Sequence, residues 1–157
     1  MVQQHTAVME PRVSCIVLGV SDAKRARRFY EAMGWSASSA SREEMPLFNA
    51  NGTVFILFDR TKLAEEAFHG VGVPASVHTH ADGFSGVVLT HVVREEEHVY
   101  GILERAAANG GRILSEAKKQ PWGNTSGYFA DPEGHVWEVS KTVKSPLQPD
   151  GSFRIGD

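Results

Sequence analysis

Two hydrophobic rhythms alternate along this chain, and their order predicts its elements. RVSCIVLGV, residues 12–20, is a β-branched apolar run of strand type, closing on Ser21-Asp22, either of which can cap a helix. The spacing then changes to three and four. Ala23, Ala26, Phe29, Tyr30 and Met33 fall on one face of an amphipathic helix, Arg and Lys take the other, and Gly34 stands at its stop. A short strand is predicted around Trp35 to Ala40. In EMPLFNANGTVFILFDR, two apolar runs then flank Asn49-Ala50-Asn51-Gly52, whose Asn and Gly residues accept the left-handed conformations of a hairpin turn. The first third therefore reads strand, helix, strand, strand, strand.

TKLAEEAFHG can form a short helix, and GVGVPASVHTHADGF, without periodicity, reads as an exposed connection. The first pattern then returns. SGVVLTHVV repeats the opening strand, and REEEHVYGILERAAANGG is a second helix with Val99, Leu103 and Ala106 inward and Asn109-Gly110-Gly111 at its end. RILSEAKK and SGYFA are strands joined by the loop QPWGNTS, and Asp131-Pro132-Glu133-Gly134 has the chemistry of a type I turn before the closing strand HVWEVSK. Turn laid on turn, Gly52 to Leu57 overlays Gly134 to Val139, with Ile56 where Glu138 stands. A repeated βαβββ unit implies that each half needs its twin to close a core. The expected map is a first module over 12–60, a linker over 61–83, a second module over 84–142 and a tail over 143–157, together one structural domain.

Composition adds limits. The chain has 157 residues, 41% of them hydrophobic, enough for such a core. Lys and Arg total 16 against 19 Asp and Glu, and the basic clusters are short, so nucleic acid binding has no support. The single cysteine, Cys15, excludes an internal disulfide and fits a reducing compartment. MVQQHTAVMEPR lacks the apolar run of a signal peptide, and no stretch approaches the ~20 apolar residues of a membrane span. The expectation is a soluble cytoplasmic protein with no membrane partner.

The repeated plan, LGVSD before an FYEAMGW helix, and above all QPWGNTSGYFADPEGHVWEV resemble the vicinal oxygen chelate superfamily of glyoxalases, extradiol dioxygenases and bleomycin-resistance proteins, over about residues 12 to 142. The resemblance implies an α+β, glyoxalase-like fold: two tandem βαβββ modules forming a cupped mixed sheet, helices on the convex face and a ligand cavity on the concave one. It also implies a homodimer, since members pair or exchange modules between chains. One fold hosts many chemistries, so the activity stays open among lyase, isomerase and dioxygenase-like reactions, with sequestration of an antibiotic or metabolite as the alternative.

Strand alternation sorts residues between the two faces of each sheet. With Trp137 and Val139 packed under the helices, Glu138 points into the cup. Phe55 and Leu57 lie behind the first sheet, and Val54, Ile56, Phe58, Cys15, Val17 and Gly19 in its cup. Gly86, Val88 and Thr90 fall in the cup of the second module. The resemblance aligns four metal-ligand positions with Cys15, Ile56, Gly86 and Glu138. Ile56 and Gly86 carry no ligating side-chain atom and Cys15 is a soft thiol, so only Glu138 matches. A catalytic divalent site needs roughly three protein ligands. No cofactor is therefore expected, a divalent ion on an atypical set being the alternative.

Glu138 is the catalytic candidate. Desolvation would raise its pKa toward working pH, as a base requires, or it serves as a buried structural acid. Cys15 reads as a small core residue rather than a nucleophile, with no His or cationic helix start beside it. His69, His78 and His80 fall in or beside the connection, His91 on the helix side, and His135 beside the turn, bonded to backbone. Trp122, Tyr128 and Phe58 join Cys15, Ile56, Gly86 and Thr90 as ligand-contact candidates. Arg25, Arg27 and Arg28 read as the solvated face of their helix.

Overall fold

A computed structural model describes residues 7–75 and 84–155. The elements are β1 (Cys15–Val20), α1 (Ala23–Ala32), β2 (Leu47–Ala50), β3 (Thr53–Asp59), α2 (Arg60–Ala67), β4 (Leu89–Val92), α3 (Glu96–Ala108), β5 (Arg112–Lys119), β6 (Thr125–Ala130) and β7 (Val136–Lys141). They make two sheets, ordered β1-β3-β2 and β4-β7-β6-β5, in which β1 runs parallel to β3 and β4 to β7. The other neighbours are antiparallel.

Local chemistry explains most boundaries. Asp22 caps α1 by accepting the backbone N–H of Arg25 at 2.9 Å, and Asp59 does the same for Lys62 at the start of α2. Asn51 and Gly52, at φ 50° and 94°, make the tight turn between β2 and β3. Gly134 closes the 131–134 turn by donating to the Asp131 carbonyl at 2.9 Å.

Two expected strands fall short. Trp35 to Ala40 forms none, because side-chain hydroxyls take the pairing positions. Ser41 Oγ accepts the N–H of Leu47 at 2.9 Å and donates to its carbonyl at 3.2 Å, leaving only the Ser38 N–H to reach Leu47 O. The opening strand of the second half is shorter than its sequence suggests: β4 begins at Leu89, and Gly86, at φ 85°, lies outside it with Val88.

One core joins both halves. Leu18, Val20, Phe55 and Leu57 from the first sheet, Phe29 and Tyr30 from α1, Val99, Leu103 and Ala106 from α3, and Phe129, Trp137 and Val139 from the second sheet form a single buried cluster. The Tyr30 ring sits in an aromatic cage, with ring centroids of Phe55 at 5.0 Å, Trp35 at 5.4 Å and Trp137 at 6.2 Å. Its hydroxyl donates to Asp131 Oδ2 at 2.6 Å and accepts from Trp137 Nε1 at 3.1 Å, so the polar end of the cage is satisfied. Burial, then the adjacent Asp131 charge, pushes the Tyr30 phenol well above its ordinary value, and burial pushes the Asp131 carboxyl up. Thus the helix-side faces of both sheets are buried against a common interior, and their opposite faces point outward.

Candidate functional site

Register shows which residues share those outer faces. In the first sheet Cys15 pairs with Val54, Val17 with Ile56 and Gly19 with Phe58, so all six stand opposite the buried Phe55 and Leu57. This face is apolar and partly open, Val17 being 37% exposed. Cys15 is exposed upon it, not a core residue, because Ile16 rather than Cys15 falls on the inward side.

In the second sheet Thr90 and Tyr128 are both register partners of Glu138, one on each neighbouring strand. Thr90 Oγ1 donates to Glu138 Oε2 at 3.2 Å, and Tyr128 stands beside the same residue as its register partner on β6. Burial, and then the Glu138 charge, raise the Tyr128 phenol above its ordinary value, which keeps it a proton donor at neutral pH. Glu138 itself is half-buried: neighbouring strands flank it, while its tip belongs to the outer face. Sequence alternation thus finds the acid, and register adds Thr90, which bonds it, and Tyr128, which flanks it.

The remaining candidates divide. Trp122 lies in the connection between β5 and β6, 65% exposed. His91 is the register partner of Val139 and, though exposed, is desolvated enough by its surroundings to lower its imidazole below the ordinary value. His135 Nε2 lies 2.8 Å from the carbonyl of Gly19, a backbone bond as the sequence suggests. His78 and His80 lie outside the described residues. Arg25 departs from the expected solvated stripe: its Nη2 reaches Glu133 Oε1 at 2.6 Å.

The donor set does not fit a divalent ion. Of the four aligned positions only Glu138 offers a hard oxygen, Ile56 and Gly86 offer no donor, and the Cys15 thiol stands on the other sheet, facing away from the shared core. Among the described residues no three His, Cys, Asp or Glu side chains come together as a candidate ligand set.

Sites missed by sequence reasoning lie where distant segments meet. Glu133 looks like a solvated turn residue, yet its side chain is 0% exposed. It accepts the backbone N–H groups of Ser21 and Asp22 at 2.8 and 3.1 Å and the Ser21 hydroxyl at 2.9 Å, so it caps α1 from the other half of the chain. Burial raises this carboxyl, but the bonds from Ser21, Arg25 and Asp22 outweigh that and hold it below its ordinary value.

Comparison with known proteins places this geometry. Residues 12–139 match the family model described as the Glyoxalase/Bleomycin resistance protein/Dioxygenase superfamily. A glyoxalase-related enzyme from Fulvimarina pelagi is 34% identical, with 94% of this chain and 100% of that one covered, at a TM-score of 0.80. A glyoxalase/bleomycin resistance protein/dioxygenase from Nocardioides is 24% identical, with 88% of each chain covered and a TM-score of 0.67. A lactoylglutathione lyase from Agrobacterium tumefaciens shares the fold at 17% identity, covering 85% of this chain and 95% of its own, with a TM-score of 0.61. No curated protein matches.

Proposed function

The chain belongs to the glyoxalase/bleomycin resistance protein/dioxygenase superfamily, and from that premise we propose that it binds a small organic molecule through Glu138, without a resident metal ion. The observation that carries this reading is the Glu138 carboxylate, bonded by the Thr90 hydroxyl and flanked by Tyr128 on an outward-facing sheet. A carboxylate oriented in this way pairs with a ligand cation or takes up a proton, and the neighbouring phenol can return one, so a lyase- or isomerase-type proton transfer is the reaction the pair supports. In the same reading the apolar outer face of the first sheet, with Val17, Ile56 and Phe58, is the opposite wall, supplied by a second copy of the chain. A cytoplasmic location accompanies it, in keeping with an unpaired Cys15.

Sequestration without turnover is the second reading, favoured because the apolar wall supplies contact area and no partner acid. A thermal-shift screen of small carbonyl compounds, catechols and cationic antibiotics identifies the ligand. Glu138→Gln and Tyr128→Phe should each weaken its binding, Glu138→Gln by roughly tenfold or more, as loss of a charge-assisted bond requires. Unchanged affinity in Glu138→Gln overturns the proposal. Consumption of the ligand by the wild type, lost in Glu138→Gln, separates an enzyme from a sequestering protein.

A further inference from the structure

On the helix side of the sheets, away from Glu138, a cleft of about 1580 Å³ opens between the two halves of the chain. Glu138, Tyr128, Cys15 and Ile56 do not line it, whereas Thr90, which bonds Glu138, does. Its floor is aromatic, formed where Phe55, Trp35 and Trp137 reach the edge of the core. One wall is α3, which presents His98, Gly101 and Arg105 at helical spacing. The facing wall is the tail from Leu147 to Phe153, fastened at two points. Arg94 Nη2 donates to the carbonyls of Gln148 and Pro149 at 3.1 and 3.4 Å, and Asn51 Nδ2 donates to Asp150 O at 3.1 Å.

Gly101 is the unexplained feature. Glycine inside a helix lowers its stability, which a close packing contact can explain. None exists here: a Cβ at Gly101 would meet no atom within 4 Å. The bare stretch of helix is exposed and borders the cleft. Beside it stands Arg105, with no carboxylate partner among the described residues, and the guanidinium of Arg94 adds a second positive charge. Glu97 is the one carboxylate among the described lining residues, and His91 and His98 add imidazole donors. An apolar floor of rings set edge-on to one another, a helix stripped to its backbone and two guanidinium groups against one acid suit an aromatic ligand that carries negative charge.

We propose that this cleft is a second binding site, taking an aromatic anion, a carboxylate or phosphate, whose ring lies against Gly101 and the tryptophans while Arg105 holds its charge. Its charge-holding residue, Arg105, lies outside the Glu138 site, although Thr90 borders both.

Isothermal titration of the full chain with 1-naphthoate and 1-naphthyl phosphate, and with 1-naphthylmethylamine as the cationic counterpart, tests it. Saturable binding of the anions at one per chain, at least about tenfold tighter than the amine, is expected. Gly101→Leu, which fills the space while favouring the helix, and Arg105→Gln should each weaken the anions roughly tenfold or more, whereas Glu138→Gln should leave them unchanged. A purely structural role for Arg105 predicts a lower melting temperature with unaltered affinity, and that result, together with unaltered affinity in Gly101→Leu, overturns the proposal. So does equal affinity for anion and amine, no saturable binding of either anion, or loss of binding in Glu138→Gln.

Discussion

Glu133 accepts hydrogen bonds from residues 108 to 112 positions away in sequence, and its charge state bears on the fold as a whole. A carboxyl held below its ordinary value stabilises the folded chain at any pH above that ordinary value, and the contribution is lost as pH falls through the lower, folded-state value. Asp131, pushed up by burial, acts in the opposite sense, its ionisation costing stability as pH rises through its raised value. Glu133→Gln is therefore expected to lose about 2 kcal/mol at neutral pH, the scale of charge-assisted bonds, and to lose less than the wild type does on acidification below the ordinary carboxylate range. Urea midpoints from pH 3.5 to 7 measure both; parallel pH profiles for the two proteins would refute the assignment. This residue was illegible in the sequence because turn chemistry is local, whereas its partners come from the other half. Glu138 was legible because alternation alone fixes its face, though Thr90 and Tyr128 gain their roles only from register.

Among the elements, those closed by neighbours in sequence were readable: α1 with its Asp22 cap, the β2–β3 hairpin and the inward stripe of α3. Elements whose existence depends on competition were not. The strand expected at Trp35 to Ala40 loses to the Ser41 hydroxyl, and neither propensity nor pattern weighs such a bond. Close packing between elements is equally hidden. Gly127 on β6 lets α3 approach: a Cβ there would lie 2.4 Å from Leu103 Cδ1 and 3.0 Å from backbone atoms of Ser115 and Ala117. Gly127→Ala should destabilise the protein by about 1–3 kcal/mol through overpacking, read as a lower urea midpoint with an unchanged slope. Leu103→Ala in the same chain should restore part of the lost stability; simple additivity of the two changes would argue against that contact.

For the whole molecule, the repeat is visible in the sequence, but period-two alternation tells only that each sheet has two faces, not which pair meets. The structure joins the helix-side faces, so the apolar face carrying Ile56 and the polar face carrying Glu138 both point outward. Such faces suit a second copy, and among the described residues β1, β2, β4 and β5 are edge strands. The expected outcome is a dimer by light scattering at micromolar concentration, and Ile56→Arg should yield a folded monomer. A wild-type monomer at that concentration would falsify the pairing.

The ring cage around Tyr30 also limits how such chains can be recombined. Its members come from both halves, Trp35 and Phe55 from the first and Trp137 from the second, and they interlock at interior density. A chimera that borrows one half from a relative imports only part of that lock, so viable crossovers must carry these rings as a matched set rather than follow the linker.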